Sequence, residues 1–197
     1  MKTITKNHLA IGARRFFWNV RAGRDEAARG DLNVKEVAPD YERFRALLEE
    51  VGGPWGWTCQ ERYREGPLRR RLGEPETRLL MLREGEREIG YALIVGIGQA
   101  IKDRFWPVAN QPSVIEIENL GLFPGEEGSG RGWSFFEMIM TDLFESHDVV
   151  YWTMSSTNYP TLLDYYRRHG MQLLAQDEVP DPRCKQVPAP TPALVNG

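Results

Sequence analysis

The sequence predicts a single α/β domain on a partly parallel sheet, and three observations carry that reading. Apolar residues alternate at the strand period in several short segments. The later segments are separated by stretches with three-to-four apolar spacing, the mark of crossover helices. A glycine-rich turn, LGLFPGEEGSGRGW, then joins an apolar strand directly to a strongly amphipathic helix. The chain has 197 residues, 41% of them hydrophobic and 27% charged, the composition of an ordinary globular protein. At that length no disulfide or metal staple is required for a stable core.

The first thirty residues contain ARRFFWNVRAGRDEAARG, a weak helical pattern, so residues 1–31 read as an arm of undetermined structure. Alternation begins with Leu32, Val34 and Val37, a short strand. Next, Tyr41, Phe44, Leu47, Leu48 and Val51 recur at helical spacing, and Gly52 marks the end of that helix. PWGW follows with little periodicity, and Pro67 suits the first turn of a short helix. Two apolar runs flank Glu84-Gly85-Glu86, a hairpin. Residues 97–113 read as a polar and aromatic excursion. SVIEIENLGLF is a strand, WSFFEMIMTDLFESH a helix, DVVYWTMS a strand, PTLLDYYRRHG a helix that stops at Gly170, and MQLLAQ a last strand. The domain is therefore expected over 32–176, with a Pro-rich extended or disordered tail over 177–197.

Charge and composition exclude several function classes. With 25 basic and 28 acidic residues the formal charge is −3, so the electrostatic footprint of a nucleic-acid partner is missing. No apolar run approaches the roughly 20 residues that span a bilayer. The first residues lack a secretory h-region, which points to the cytoplasm. Cys59 and Cys184 match neither a disulfide framework nor a zinc motif, and no metal is implied.

The chemistry centres on the glycine turn. Gly121, Gly125, Gly128, Gly130 and Gly132 lie between a strand and a helix, where backbone N–H groups converge and the helix N-terminus favours negative charge. A phosphate or pyrophosphate fits such a nest; a flexible connector is the plainer alternative. A Walker loop is excluded because Trp133 stands where lysine is needed, and the third glycine of a dinucleotide fingerprint is replaced by the same Trp133.

Glu127-Gly128-Ser129-Gly130-Arg131-Gly132 resembles the coenzyme A pyrophosphate loop of GCN5-related N-acetyltransferases, Gln/Arg-x-x-Gly-x-Gly/Ala. Downstream, TNYPTLLDYYRRHGM is similar to the second hallmark of that family, an Asn or Asp and then a helix ending Tyr-x-x-x-Gly-Phe. Glu127 replaces the usual Gln or Arg, and Met171 the usual Phe. The resemblance spans residues 32–176 and implies the bacterial branch. The implied fold has a mixed, mostly antiparallel sheet of six to seven strands, splayed at the cofactor site, with helices on both faces.

The implied activity is acetyl transfer from acetyl-CoA to a primary amine, small-molecule or peptide, by direct transfer in a ternary complex. No nucleic acid, membrane or metal is required, and a homodimer is compatible with the family. The alternatives are a non-catalytic acyl-CoA sensor and an acyltransferase for a longer chain. Leu120, Gly121 and Leu122 are the strand segment expected to pair with the pantetheine arm. Glu127, Gly128, Ser129, Gly130, Arg131 and Gly132 are expected at the pyrophosphate, and Asn158 at the cofactor or as a helix cap. An amine with a pKa of about 10.4 is only about 0.04% neutral at pH 7, so a base is useful. Glu116 and Glu118 share one face of an apolar strand, and Glu116 holds the place of the family's glutamate base. Glu118 is the spare base, or an acid of the acceptor pocket. Solvated acids on an edge strand are the plain alternative for both. Tyr166 is the expected acid for the thiolate, with Tyr165 as the spare in the neighbouring register. Trp55 and Trp57 are expected as acceptor-pocket walls, and Arg69-Arg70-Arg71 as a solvated face.

Overall fold

A computed structural model of the chain describes residues 3–22, 30–128, 130–156 and 162–181. Seven strands form one sheet: β1 (Thr3–Gly12), β2 (Leu32–Val37), β3 (Arg78–Glu84), β4 (Arg87–Gly96), β5 (Val114–Leu122), β6 (Val149–Ser155) and β7 (Gln172–Pro180). Their order across the sheet is β2-β3-β4-β5-β6-β1-β7. Among the described residues only β5 and β6 pair in parallel; the other pairings are antiparallel. The α-helices are α1 (Ala13–Ala22), α2 (Tyr41–Gly52), α3 (Glu65–Leu72), α4 (Gln99–Phe105), α5 (Arg131–Leu143) and α6 (Leu162–Arg168).

The helices cover both faces. One face carries Leu9, Ile11, Ile94, Ile115, Ile117, Val150 and Trp152 from the strands, packed against Phe16 of α1, Phe135, Phe136 and Ile139 of α5 and Tyr166 of α6. The other carries Leu79, Met81, Tyr91, Leu93 and Val95 against Phe44, Leu47 and Leu48 of α2 and Leu68 and Leu72 of α3. Each such side chain stabilises the fold by about 1.5–3 kcal/mol on full burial. Local signals agree with the long-range packing: Asp40 caps α2 by accepting the Arg43 N–H at 2.9 Å.

Three expectations are corrected. The segment 1–31 is not a separate arm, because β1 is an internal strand between β6 and β7. Its Lys6-Asn7-His8 run hides the strand pattern, and Asn7 and His8 are nevertheless buried. Asn7 Nδ2 donates to the Met154 carbonyl, and its Oδ1 accepts from Gln176 Nε2 at 2.8 Å, so neighbouring strands satisfy what the pattern made look exposed. The sheet also extends beyond residue 176, since β7 runs to Pro180; residues 182–197 lie outside the described part. Finally, Cys59 is disulfide-bonded, contrary to the expectation drawn from the two-cysteine count, while Cys184 lies outside the described residues.

Candidate active site

Two irregularities in β5 build the site. Its pairing with β6 covers Val114↔Val149 to Ile117↔Trp152 and then ends, although β5 continues to Leu122 and β6 to Ser155. The two strands part there: Leu120, Gly121 and Leu122 keep β4 partners, and among the described residues no strand pairs with them on the β6 side. A bulge accompanies the parting, because Leu93 opposes Asn119 while the next residue, Ile94, opposes Ile117. The extra residue is Glu118. A bulge bends its strand and breaks alternation, so Glu116, Glu118 and Asn119 share the α2–α3 face while Ile117 and Leu120 face the α5 side. Gly121 is required here for space, since a Cβ would overlap the Val51 side chain of α2.

Beyond β5 the chain enters the glycine turn. Gly125, Gly128 and Gly130 have φ of 89°, 80° and 79°, a region that favours glycine. A Cβ at Gly125 or Gly128 would meet nothing within 4 Å, so the turn presents an open, backbone-lined surface at the start of α5. Glu127 turns back and accepts the Gly125 N–H at 2.8 Å. Arg131 donates to Glu84 at 2.6 Å, and Arg87 bridges Glu84 and Glu126. These pairs hold the hairpin tip against the turn. Gly132 lies in the first turn of α5. Ser129 and Asn158 lie outside the described residues.

The acids of β5 are buried, which overturns the solvated-edge alternative: Glu116 is 7% exposed and Glu118 5%. Their surroundings differ. Arg71 Nε donates to Glu118 Oε2 at 3.0 Å, and Arg62 Nε stands 3.8 Å from Oε1. No ion pair or hydrogen bond holds the Glu116 carboxylate among the described residues. Burial, and then the neighbouring Glu118, push its pKa above the ordinary carboxylate value. Arg71 is thereby corrected from a solvated residue to the counter-ion of Glu118. Tyr63 donates to Asn119 Oδ1 at 3.0 Å, so the segment after PWGW lies over β5. Trp55 and Trp57 are both half-buried there, Trp57 against Gly52 at the end of α2.

Tyr166 sits on the other face. Its ring is 4.5 Å from that of Trp152 and 5.6 Å from that of Phe136, and burial raises its phenol pKa, so it stays protonated. Tyr165, one position earlier, is half-buried and stacks on His169 at 4.3 Å. Glu116 and Tyr166 are thus on opposite faces of the sheet, near the point where β5 and β6 part. Sequence reasoning missed Arg62, Asn119, Lys6, His8, Tyr151 and Asp177, which line the Glu116 face. The bulge that turns Asn119 leaves no periodic signal, and His8 and Asp177 belong to segments read as arm and tail.

This architecture is GCN5-related N-acetyltransferase-like: an open, seven-stranded, mostly antiparallel sheet, a splayed parallel pair, and a glycine turn leading into a helix. A conserved, functionally unknown protein from Staphylococcus epidermidis ATCC 12228 is similar, with a TM-score of 0.57 and 14% identity over 89% of this chain and 60% of that one. A Drosophila protein aligns over 90% of this chain and 50% of its own, with a TM-score of 0.53 and 12% identity. A GCN5-related N-acetyltransferase from Kribbella flavida aligns over 88% and 56%, at 14% identity and a TM-score of 0.49. The first two likenesses speak to fold alone, the third is too weak to add to them, and the chain spans about half to three-fifths of these proteins' lengths. No protein-family model matches the sequence, and no curated protein does. Among the described residues no helix is long and apolar enough to cross a membrane, and no cluster of three or more His, Cys, Asp or Glu is placed to hold a metal.

Proposed function

We propose that the protein is an acetyl-CoA-dependent N-acetyltransferase that moves the acetyl group to a primary amine by direct transfer in a ternary complex. The observation that carries this is the parting of β5 from β6 beside an open turn of positive-φ glycines. The strand edge left at Leu120–Leu122 suits an amide-bearing pantetheine arm, which would add to it as a strand does. The exposed N–H groups at Gly128, Gly130 and the start of α5 suit the pyrophosphate. The acid at Glu127 faces its own backbone and leaves that role to main-chain amides.

Acetyl transfer then needs a free amine and an exit for the thiolate. Glu116 takes a proton from the acceptor ammonium; its raised pKa brings it closer to working pH. The amine lone pair attacks the thioester carbonyl, the C–S bond breaks, and the Tyr166 O–H gives its proton to the departing sulfur. Solvent returns the proton gained at Glu116 to the tyrosinate. Glu118, held by Arg71, is the anchor of the acceptor wall rather than the base. Trp55 and Trp57 stand in the segment that would frame a small amine or a peptide amine.

The test is thermal stability followed by thiol release. Acetyl-CoA at a hundred times its dissociation constant should add about 2.7 kcal/mol, whereas NAD and ATP should add nothing. Gly130→Val should remove the acetyl-CoA shift without unfolding the sheet, because φ is 79° at that position. Thiol release with a panel of phenethylamine, spermidine, amino acids and a basic peptide then identifies the acceptor class. Absence of any shift at millimolar acetyl-CoA would overturn the proposal.

A further inference from the structure

Beside Glu116, four elements (β6, β1, β7 and α4) bring together side chains that the transfer step leaves unused. Glu116 of β5 and Tyr151 of β6 are register partners in the parallel pair and project to the same side. Tyr151 Oη lies 2.5 Å from His8 Nδ1, and His8 Nε2 lies 3.0 Å from Asp177 Oδ2. A carboxylate only accepts, so Nε2 carries the hydrogen and, in the neutral ring, Nδ1 is left to accept from the phenol. Arg104 of α4 grips the same carboxylate with two bonds, at 2.6 and 2.8 Å. Phe105 covers the imidazole at 5.3 Å, and Trp106 meets the Tyr151 ring at 6.3 Å. The excursion 97–113 therefore forms a roof over the chain. Tyr151 and His8 are 1% and 2% exposed, whereas the Asp177 side chain is 34% exposed, so the row runs from the interior to the surface.

A structural clamp would need only the Arg104–Asp177 pair and the aromatic cover. It does not require two successive hydrogen bonds of one polarity leading inward to the strand neighbour of a buried carboxyl. A buried base has a need that such a row meets, since it must lose its captured proton before every new turnover.

We propose that Tyr151, His8 and Asp177 form the proton exit path of Glu116. The inference rests on Glu116 being the base. Protonated Glu116 passes its proton through a bridging water to Tyr151 Oη, its register partner across the β5–β6 pair, as the phenolic proton passes to His8 Nδ1. The imidazolium then releases its Nε2 proton along Asp177 to water. Rotation of the phenol and proton exchange at the imidazole restore the starting tautomers, and no net charge accumulates. Burial, and next to it the cation of Lys6, lower the His8 pKa, so the ring stays neutral and ready to receive. The charged groups facing the path are Lys6 of β1, Arg62 of the segment before α3, Arg104 of α4, Glu116 and Glu118 of β5, and Asp177 of β7.

The experiment separates the first turnover from later ones. Acetyl-CoA and phenethylamine, or the fastest amine of the panel, are mixed with enzyme in rapid quench, in weak and in strong buffer. Tyr151→Phe keeps the ring packed under Phe105 and Trp106, and His8→Gln keeps a polar side chain on β1. For both, the expected result is a persisting first-turnover burst, steady-state kcat at least tenfold lower, unchanged KM, and recovery of kcat in tens of millimolar imidazole. Melting curves check that each variant is folded. A variant with wild-type steady-state kcat overturns the path, as does an equal loss in both phases without imidazole recovery. Glu116→Gln reports on the base separately: a wild-type first turnover in that variant overturns the base assignment, whatever the path variants do.

Discussion

The two faces of the sheet are built on opposite principles although the same strands supply both. Toward α5 and α6, β1, β5 and β6 present Leu9, Ile11, Ile115, Ile117, Val150, Trp152 and Met154, and the helices answer with aromatic and aliphatic side chains. Toward α3 and α4, the same strands present Lys6, His8, Glu116, Glu118 and Tyr151. The first face is held by apolar burial and tolerates exchange among residues of similar volume. The second holds buried ionisable groups, each of which destabilises the fold unless a partner offsets it. Glu118 has such a partner in Arg71 and Asp177 has Arg104 and His8, whereas among the described residues Glu116 has no ion pair or hydrogen bond and feels Arg62, Arg71 and Lys6 only at longer range. The acid without a direct partner is the one the proposed transfer uses as its base, the usual relation between activity and strain at a site.

The comparison would break first at Glu116. Glu116→Gln is expected to lower acetyl transfer at pH 7 by a hundredfold or more, about 2.7 kcal/mol. Activity should recover as pH rises toward the amine pKa, and a pH–rate profile checks it. A profile unchanged from wild type would move the base elsewhere. Tyr166→Phe probes the apolar face. One hydroxyl is lost from a ring that keeps its packing on Trp152, so turnover should fall ten- to a hundredfold, about 1.4–2.7 kcal/mol, with acetyl-CoA affinity retained. Tyr165→Phe should change little, and the reverse outcome would show that the neighbouring tyrosine is the acid.

Stability sharpens the contrast further. Glu118→Gln leaves Arg71 without its buried counter-ion, but that arginine reaches water, so urea denaturation should show a loss of about 1–3 kcal/mol. Glu116→Gln should do the opposite at alkaline pH. A carboxyl whose folded pKa is raised is protonated more readily in the fold than in the unfolded chain. Its penalty is therefore absent below about pH 4, the unfolded value, grows as pH rises from there to the folded value, and is constant above it. The Gln variant should melt higher than wild type at pH 8 and level with it near pH 4. Asp177, depressed chiefly by Arg104, and His8, depressed chiefly by burial, carry the other sign. Their contribution is present at neutral pH, and both lose it on acidification: His8 below about pH 6.5, and Asp177 below about pH 4. Both are common to variant and wild type, so the difference curve isolates Glu116.

Much of this was legible in residue order. The helices at α2 and α5, the hairpin at β3 and β4, and the strand β5 with its two acids all follow from periodicity and punctuation. The choice of Tyr166 over Tyr165 as the acid came instead from the resemblance, through its Tyr-x-x-x-Gly spacing, and Tyr166 is the buried one of the two rings. β1 was not legible. Thr5, Lys6, Asn7 and His8 are a polar run without a strand signal, and pairing on both sides with β6 and β7 buries Asn7 and His8 and half-buries Thr5 and Lys6. The bulge at Glu118, which brings Asn119 to the acid face, was equally silent, because a one-residue slip changes pairing without changing composition.

The division has a physical cause. Periodicity, caps and glycine turns depend on neighbours a few residues away, so sequence alone settles α2, α5, the β3–β4 hairpin and the strand–glycine–helix turn. Burial of a polar side chain depends on which distant strand lies beside it. The pairing of His8 with residues 143 and 169 positions away is such a fact, and only the folded sheet decides it. The same holds for Glu116. Its place on an alternating strand is written in the chain, but among the described residues it has no ion pair because Arg71 and Arg62 close on Glu118 and act on Glu116 only from farther off.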